Sequence, residues 1–164
     1  MTRIWSERPI EIAHLLNPAF CSTLLCESIS GCEQENGAGM PYAIAFLVLP
    51  VVLHKPTRDF LPKSIATKLH AWIQDNQSVR IGFAERVQWT IPYTKEGLHY
   101  ASMAQLIYIS DDGLLVLKKK RLKKLPWPKT SEPSVCKNKA RFIGRWFSLA
   151  GDTATLLAMW GVRP

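Results

Sequence analysis

The sequence predicts a mainly α-helical protein with one small β-hairpin, organised as a winged helix-turn-helix-like core followed by a C-terminal helix. Apolar residues recur at helical spacing in several segments. Helical segments lead directly into two short strand segments joined by a glycine turn, which is the order of a winged helix-turn-helix domain. The 164 residues, 47% of them apolar, match the size and composition of one ordinary domain.

The first third of the chain is predicted to be helical. Proline and capping signals indicate a short helix over Ile10–Leu16 and a longer one from Pro18 to about Ser30. A polar, glycine-rich surface loop is expected over 31–39, followed by a buried apolar helix from Pro41 to about His54, kinked at Pro50. The most apolar part of this segment, 43–53, is eleven residues interrupted by Pro50, whereas a membrane span needs roughly twenty, so no membrane contact is expected.

Three more helices are predicted before the hairpin. One runs from Ser64 to about Asn76, and a second follows Ser78 until Pro92 breaks or kinks it. The third, Tyr93–Ala104, takes the place of a recognition helix, but it carries no arginine for base edges. Protein contact therefore explains this helix better than sequence-specific DNA reading.

The hairpin and the basic run after it form the next feature. Strands are expected over 106–109 and 114–117, with a tight turn at 110–113. The segment from Lys118 to Arg145 contains eleven Lys and Arg residues and one acid, which gives it a net charge of +10. The rest of the chain has a net charge of −2. The candidate residues for phosphate contact are Lys118, Lys119, Lys120, Arg121, Lys123 and Lys124.

Two interpretations of the basic run carry about equal weight. Lysines and arginines at the edge of a wing would add salt-sensitive, sequence-independent attraction to the backbone of double-stranded DNA. Alternatively, the run is a solvated strand extension that protects a sheet edge from aggregation.

The C-terminal part is predicted to form a separate element. A proline-rich linker over 126–137 divides the core domain, 1–125, from an amphipathic helix within 138–164. Its wide apolar stripe must be covered by the domain or by a partner. The candidate interface residues are Phe142, Arg145, Trp146, Phe147 and Trp160.

Catalytic, metal and cofactor functions find no support in the residue pattern. The four cysteines fit neither C-x-x-C ligand pairs nor a disulfide framework, and no secretory signal precedes them, so reduced thiols in the cytoplasm are expected. The four histidines are dispersed, and no P-loop motif occurs. We therefore expect a protein that is not an enzyme and needs no cofactor.

Several stretches, read together, resemble one family: Arg8-Pro9-Ile10-Glu11, Leu15-Leu16-Asn17-Pro18-Ala19-Phe20-Cys21, Gly39-Met40-Pro41-Tyr42 running to Leu53-His54-Lys55, Thr57-Arg58, Leu61-Pro62, Gly82-Phe83-Ala84-Glu85-Arg86, and Gly144-Arg145-Trp146-Phe147 running to Met159-Trp160-Gly161-Val162-Arg163-Pro164. They look like the middle component of bacterial three-component ABC-ATPase systems, a group that includes Lamassu-type antiphage and antiplasmid defence. The resemblance spans nearly the whole chain. Cys32, after Gly31, departs from it, since an aromatic residue is expected there.

The resemblance implies partners rather than a reaction. Family members are encoded beside an SMC- or Rad50-like ABC ATPase and a separate effector, often a nuclease, and are thought to couple the two. The first hypothesis is thus a non-catalytic adaptor that holds the effector inactive until the ATPase senses foreign DNA. The alternative is a stand-alone winged-helix DNA-binding regulator, which would be a stable homodimer that binds duplex DNA by itself.

Overall fold

The computed structural model describes residues 5–118 and 122–163, without the side chain of Trp5. These residues form eight α-helices, three short strands and three 3₁₀ helices. The α-helices are α1 (Ile10–Leu15), α2 (Pro18–Asn36), α3 (Val48–Val52), α4 (Lys55–Phe60), α5 (Leu69–Asp75), α6 (Phe83–Met103), α7 (Glu132–Ser148) and α8 (Thr153–Met159). The strands are β1 (Met40–Pro41), β2 (Ile107–Ile109) and β3 (Leu114–Leu117), and the 3₁₀ helices are Trp5–Glu7, Tyr42–Leu47 and Gln77–Arg80.

Helix α2 is the centre of the core, packed between α6 and α7. Asn17 caps its first turn by accepting a hydrogen bond from the Ala19 amide at 2.8 Å, and Pro18 takes the first helical position. Gly37 ends it in the left-handed conformation, at φ 69°. Its residues are buried around most of its circumference, as expected for a helix enclosed by others.

A three-stranded antiparallel sheet with the order β1-β3-β2 lies against α2. The hairpin β2–β3 was predicted and is confirmed, with Ile107 opposite Leu117 and a turn closed by the Gly113 amide on the Ser110 carbonyl. Strand β1 was not predicted. The mainly helical class is thus confirmed, whereas the winged helix-turn-helix arrangement stays a prediction.

Two predictions for the first third of the chain were wrong. The loop expected over 31–39 is largely helix, because α2 continues to Asn36. Gly31 does not end the helix; it lies inside α2 at the point where α7 crosses closely. The apolar segment from Pro41 to His54 is buried as predicted. It forms a 3₁₀ helix over Tyr42–Leu47 and then α3, rather than one long kinked helix.

The middle helices also differ from the prediction. Pro92 lies inside a single helix, α6, where two helices were expected. Proline in a helix interior costs about 3 kcal/mol, and the packing of α6 on α2 offsets this cost. The helix expected from Ser64 begins only at Leu69. The preceding backbone turns, and the Thr67 carbonyl accepts a hydrogen bond from the Trp146 indole at 2.7 Å.

The C-terminal segment forms two helices instead of one. Helix α7 starts at Glu132, inside the predicted linker 126–137, and ends at Ser148. A short loop then leads to α8, whose first turn is capped by Asp152. Helix α7 makes the most extensive contact in the protein, with α2, so the C-terminal segment packs on the domain itself.

Candidate functional site

Three of the five predicted interface residues lie in the core. The side chains of Trp146, Phe147 and Trp160 are 1%, 3% and 1% exposed. Their rings contact each other, and those of Trp72 and Phe83 join them, the closest pair being Phe83 and Trp160 at 4.5 Å between centroids. These aromatic side chains join α5, α6, α7 and the end of α8 in the core, and partner contact through them stays a prediction.

The other two predicted interface residues keep some exposed surface. Phe142 is half-buried against Trp146, and the Lys139 ammonium lies 5.8 Å from the centre of its ring. The Arg145 guanidinium donates from Nε to the Glu35 carboxylate on α2 at 2.6 Å. Arg145 is therefore engaged within the chain, and Phe142 alone retains a partly accessible aromatic edge among the five.

Part of the basic segment is neutralised inside the fold. On α7, Arg141 donates to the buried Glu27 carboxylate at 2.9 Å, and Lys137 lies 3.6 Å from the same group. Together with the Arg145–Glu35 pair, these contacts couple α7 to α2 electrostatically. The net charge of the sequence segment therefore overstates the basic surface that a nucleic acid would meet.

The predicted phosphate-contact residues follow β3. Lys118 extends the hairpin through its amide, which donates to the Leu106 carbonyl at 2.8 Å, and its ammonium donates to the Gln105 side chain. Lys123 and Lys124 are exposed. The predictions for Lys119, Lys120 and Arg121 lie outside the described residues. Among the described residues of the run, Lys118 therefore continues the hairpin, and Lys123 and Lys124 face solvent, whereas phosphate contact stays a prediction.

An exposed apolar face on α6 was missed at the sequence level. Trp89, Tyr100 and Met103 are 54%, 46% and 72% exposed, and their spacing along the helix puts them on one side. Tyr93 and Glu96 lie on the same side, where Arg8 binds both. The recurrence of these residues at helical spacing is a signal that could have identified this face.

The opposite side of α6 borders an open groove of about 600 Å³. The 3₁₀ helix Tyr42–Leu47 forms its second wall, and Leu157 and the residues after α8 complete the lining. Helix α6 thus presents two separate apolar faces to solvent, one bearing Trp89 and one facing this groove, which we call the α6 groove.

A second cavity, of about 680 Å³, lies between α1, the start of α2 and the first turn of α7. The buried Arg58 guanidinium at its edge donates to the Val52 carbonyl at 2.7 Å, to Cys136 Sγ at 3.2 Å and to Glu132 at 2.9 Å. Through these hydrogen bonds Arg58, on α4, links α7 to the end of α3. Arg58 therefore has a positional role in the fold.

The four cysteine thiols are buried and only weakly acidic. Burial raises the pKa of Cys21 and of Cys26 to about 12 and that of Cys32 to about 11, and it also raises the pKa of Cys136. A thiol with such a pKa carries almost no nucleophilic thiolate at neutral pH. Among the described residues, no group of three or more His, Cys, Asp and Glu side chains could hold a metal ion. None of the described helices is both long and apolar enough to cross a membrane.

Comparison with known proteins gives a match over almost the whole chain. Residues 5–164 match the family model described as ABC-three component (ABC-3C) system Middle Component 3. No curated protein and no solved structure matches the chain.

Proposed function

The chain belongs to the Middle Component 3 family of ABC-three component systems, and from this membership we propose that it is a non-catalytic adaptor subunit. It couples an SMC- or Rad50-like ABC ATPase to an effector, a nuclease, in cytoplasmic antiphage or antiplasmid defence of the Lamassu type. The family match over residues 5–164 is the observation that carries this proposal.

The exposed surface supports a coupling role. An adaptor needs two interfaces that can be occupied at the same time, and α6 has apolar residues on two sides. Trp89, Tyr100 and Met103 lie on one side, and the α6 groove lies on the other. Exposed aromatic and long aliphatic side chains are typical of protein interfaces.

The basic run supports a DNA-proximal position in the complex. Lys118, Lys123 and Lys124 are exposed, and no acid separates them from Lys119, Lys120 and Arg121 in the sequence. Such a run adds affinity for the phosphate backbone without reading bases. The winged helix-turn-helix arrangement belongs to the same proposal, with the hairpin as the wing.

The first test is reconstitution of the complex. The chain is co-expressed with the ABC ATPase and the effector encoded beside it, one tagged subunit is purified, and the mass of the complex is measured by light scattering. We expect a ternary complex, and only a weak ATPase–effector association when the chain is omitted. A free homodimer that binds duplex DNA alone and ignores both subunits would instead favour the stand-alone regulator.

The second test addresses DNA contact. Changing Lys118, Lys119, Lys120 and Arg121 together to Ala should lower the affinity of the complex for unrelated duplexes equally and flatten its salt dependence, because phosphate contacts release counterions. Assembly should remain intact. The control replaces two exposed lysines elsewhere, Lys63 and Lys68. If the quadruple variant lost assembly while the remaining ATPase bound DNA normally, the run would contact protein, and the DNA proposal would be wrong.

A further inference from the structure

The α6 groove has the dimensions of a helix-binding site. Its α6 wall contains Ala84, Val87, Gln88, Ile91 and Lys95, which recur at helical spacing along one side. At about 1.5 Å per residue, this wall is roughly 16 Å long. A partner helix of three turns has the same length, so its side chains could follow the groove from end to end.

The walls of the groove are apolar and held in place by the core. Tyr42 is 40% exposed, and its ring contacts that of Phe46 edge to face at 5.3 Å between centroids. Leu47 and Val87 at the base of the groove are buried, and Ile91 is half-buried. The apolar site is therefore formed before a partner binds. Binding does not incur the entropic cost of ordering the groove, which favours association.

The charges at the groove have one sign. Lys95 and Arg163 are the charged side chains among its lining residues, and both are exposed. In the described ranges 5–118 and 122–163, neither forms an ion pair. The two acids of α6 lie outside the groove lining, because Glu96 pairs with Arg8 and Glu85 lines a separate cavity.

From the apolar walls and the two cations we propose that the α6 groove binds an acidic amphipathic helix of another subunit of the complex. Apolar side chains spaced at i, i+3 or i+4 and i+7 enter the groove, and acidic residues beside them pair with Lys95 and Arg163. A second copy packed groove to groove would instead bring the same cations together, because a twofold interface pairs identical surfaces. This inference rests on the proposed adaptor function.

Site-specific crosslinking tests the occupant. Benzoylphenylalanine replaces the exposed Gln88 inside the groove, and in a matched control it replaces the exposed Gln74 on α5, which lies outside the groove lining. Both variants are assembled with the ATPase and the effector and irradiated, and the crosslinked peptides are sequenced by mass spectrometry. We expect position 88, and not position 74, to capture a segment whose helical pattern is apolar on one side and net acidic.

Charge reversal tests the recognition itself. Lys95→Glu with Arg163→Glu should weaken assembly about tenfold, since each attraction becomes a repulsion, whereas Lys95→Arg should leave it unchanged. Circular dichroism melting of the free chain should not change, because both side chains are exposed.

Each outcome separates the two proposals. If no complex forms even with the unaltered chain, the adaptor function itself is wrong. The groove proposal alone is wrong if the complex forms but the crosslinker at position 88 captures no segment. It is also wrong if position 88 captures a second copy of this chain, or a segment without acidic residues. Assembly that tolerates the double charge reversal would also overturn it.

Discussion

Gly144 on α7 provides a stringent test of how the two main helices pack. A Cβ atom added at this position would lie 1.9 Å from the Ser28 carbonyl oxygen and 2.7 Å from its carbon, both in the backbone of α2. Gly31 on α2 is equally close to α7, since a Cβ there would lie 2.2 Å from the Arg141 carbonyl oxygen. The helices therefore approach each other through glycines, and no side-chain rotation can make room for a methyl group.

The expected cost of Gly144→Ala follows from these distances. A weak C–H···O contact needs about 3.3 Å between carbon and oxygen, so the helices would have to separate by more than about 1 Å. Overpacking against a rigid neighbour costs about 1–3 kcal/mol or more, and the better helix propensity of alanine returns at most about 1 kcal/mol. We expect the free energy of unfolding to fall by about 3 kcal/mol, which for a chain of this size lowers Tm by roughly 6–12 °C.

Thermal and urea unfolding, followed by circular dichroism, measure this effect against a matched control. Gly97 on α6 also faces α2, but an added Cβ there would lie 2.9 Å from the terminal methyl of Leu25, which can rotate away. Its contacts with Cys21, at 3.1 Å to Cβ and 3.3 Å to the carbonyl carbon, need a shift of only a few tenths of an ångström. Gly97→Ala should therefore change stability by no more than about 1 kcal/mol. A Gly144→Ala variant as stable as the unaltered protein, or more stable than Gly97→Ala, would refute the close crossing of α2 and α7.

Four further predictions concern the interior. Glu27→Gln should lower the free energy of unfolding by about 1–3 kcal/mol in denaturant titrations, because Arg141 loses its carboxylate; an unchanged midpoint would contradict this pairing. Trp146→Ala should cost about 3–5 kcal/mol in the same titrations, and a small effect would mean that this side chain is not in the core. Burial, with the nearby Arg86 charge, lowers the pKa of His54 from its ordinary 6.5, so the folded state binds the proton less well than the unfolded state and its stability should fall as the pH drops below about 6.5. Tm measured from about pH 5 to 8 should therefore fall less in the His54→Asn variant than in the unaltered protein. The four buried thiols should react with a disulfide reagent only after denaturation, and stoichiometric labelling of the native protein would refute their inertness.

The internal ion pairs change how the basic sequence should be interpreted. In the sequence, Lys137, Arg141 and Arg145 belong to the same positive segment as the run after β3. In the fold they face Glu27 and Glu35 on α2, more than a hundred residues away along the chain. A charge count along the chain cannot distinguish a cation that pairs internally from one that faces solvent. The DNA proposal therefore rests on the run after β3 and not on the whole segment.

The sequence by itself determined the features that depend on local chemistry. The short helix α1, the start of α2 at Asn17-Pro18 and the hairpin with its glycine turn follow from capping, proline and turn preferences, and all are confirmed. The burial of the segment after Pro41 follows from its apolar composition. The whole-chain resemblance to the middle components also came from the residues, and the family match supports it.

Only the tertiary structure decided where the helices end and which aromatic side chains a partner can reach. A local signal such as Gly31 or Pro92 normally ends a helix, yet α2 and α6 run through both, because contacts with distant segments outweigh a local cost of about 1–3 kcal/mol. Trp146 and Trp160 gave the strongest interface signal in the sequence, and they are buried because α5 and α6 supply the aromatic surfaces that cover them. Trp89 stays exposed on α6 because the packing of that helix on α2 uses a different side. Burial depends on what lies opposite a residue in space, and the chain order does not contain that information.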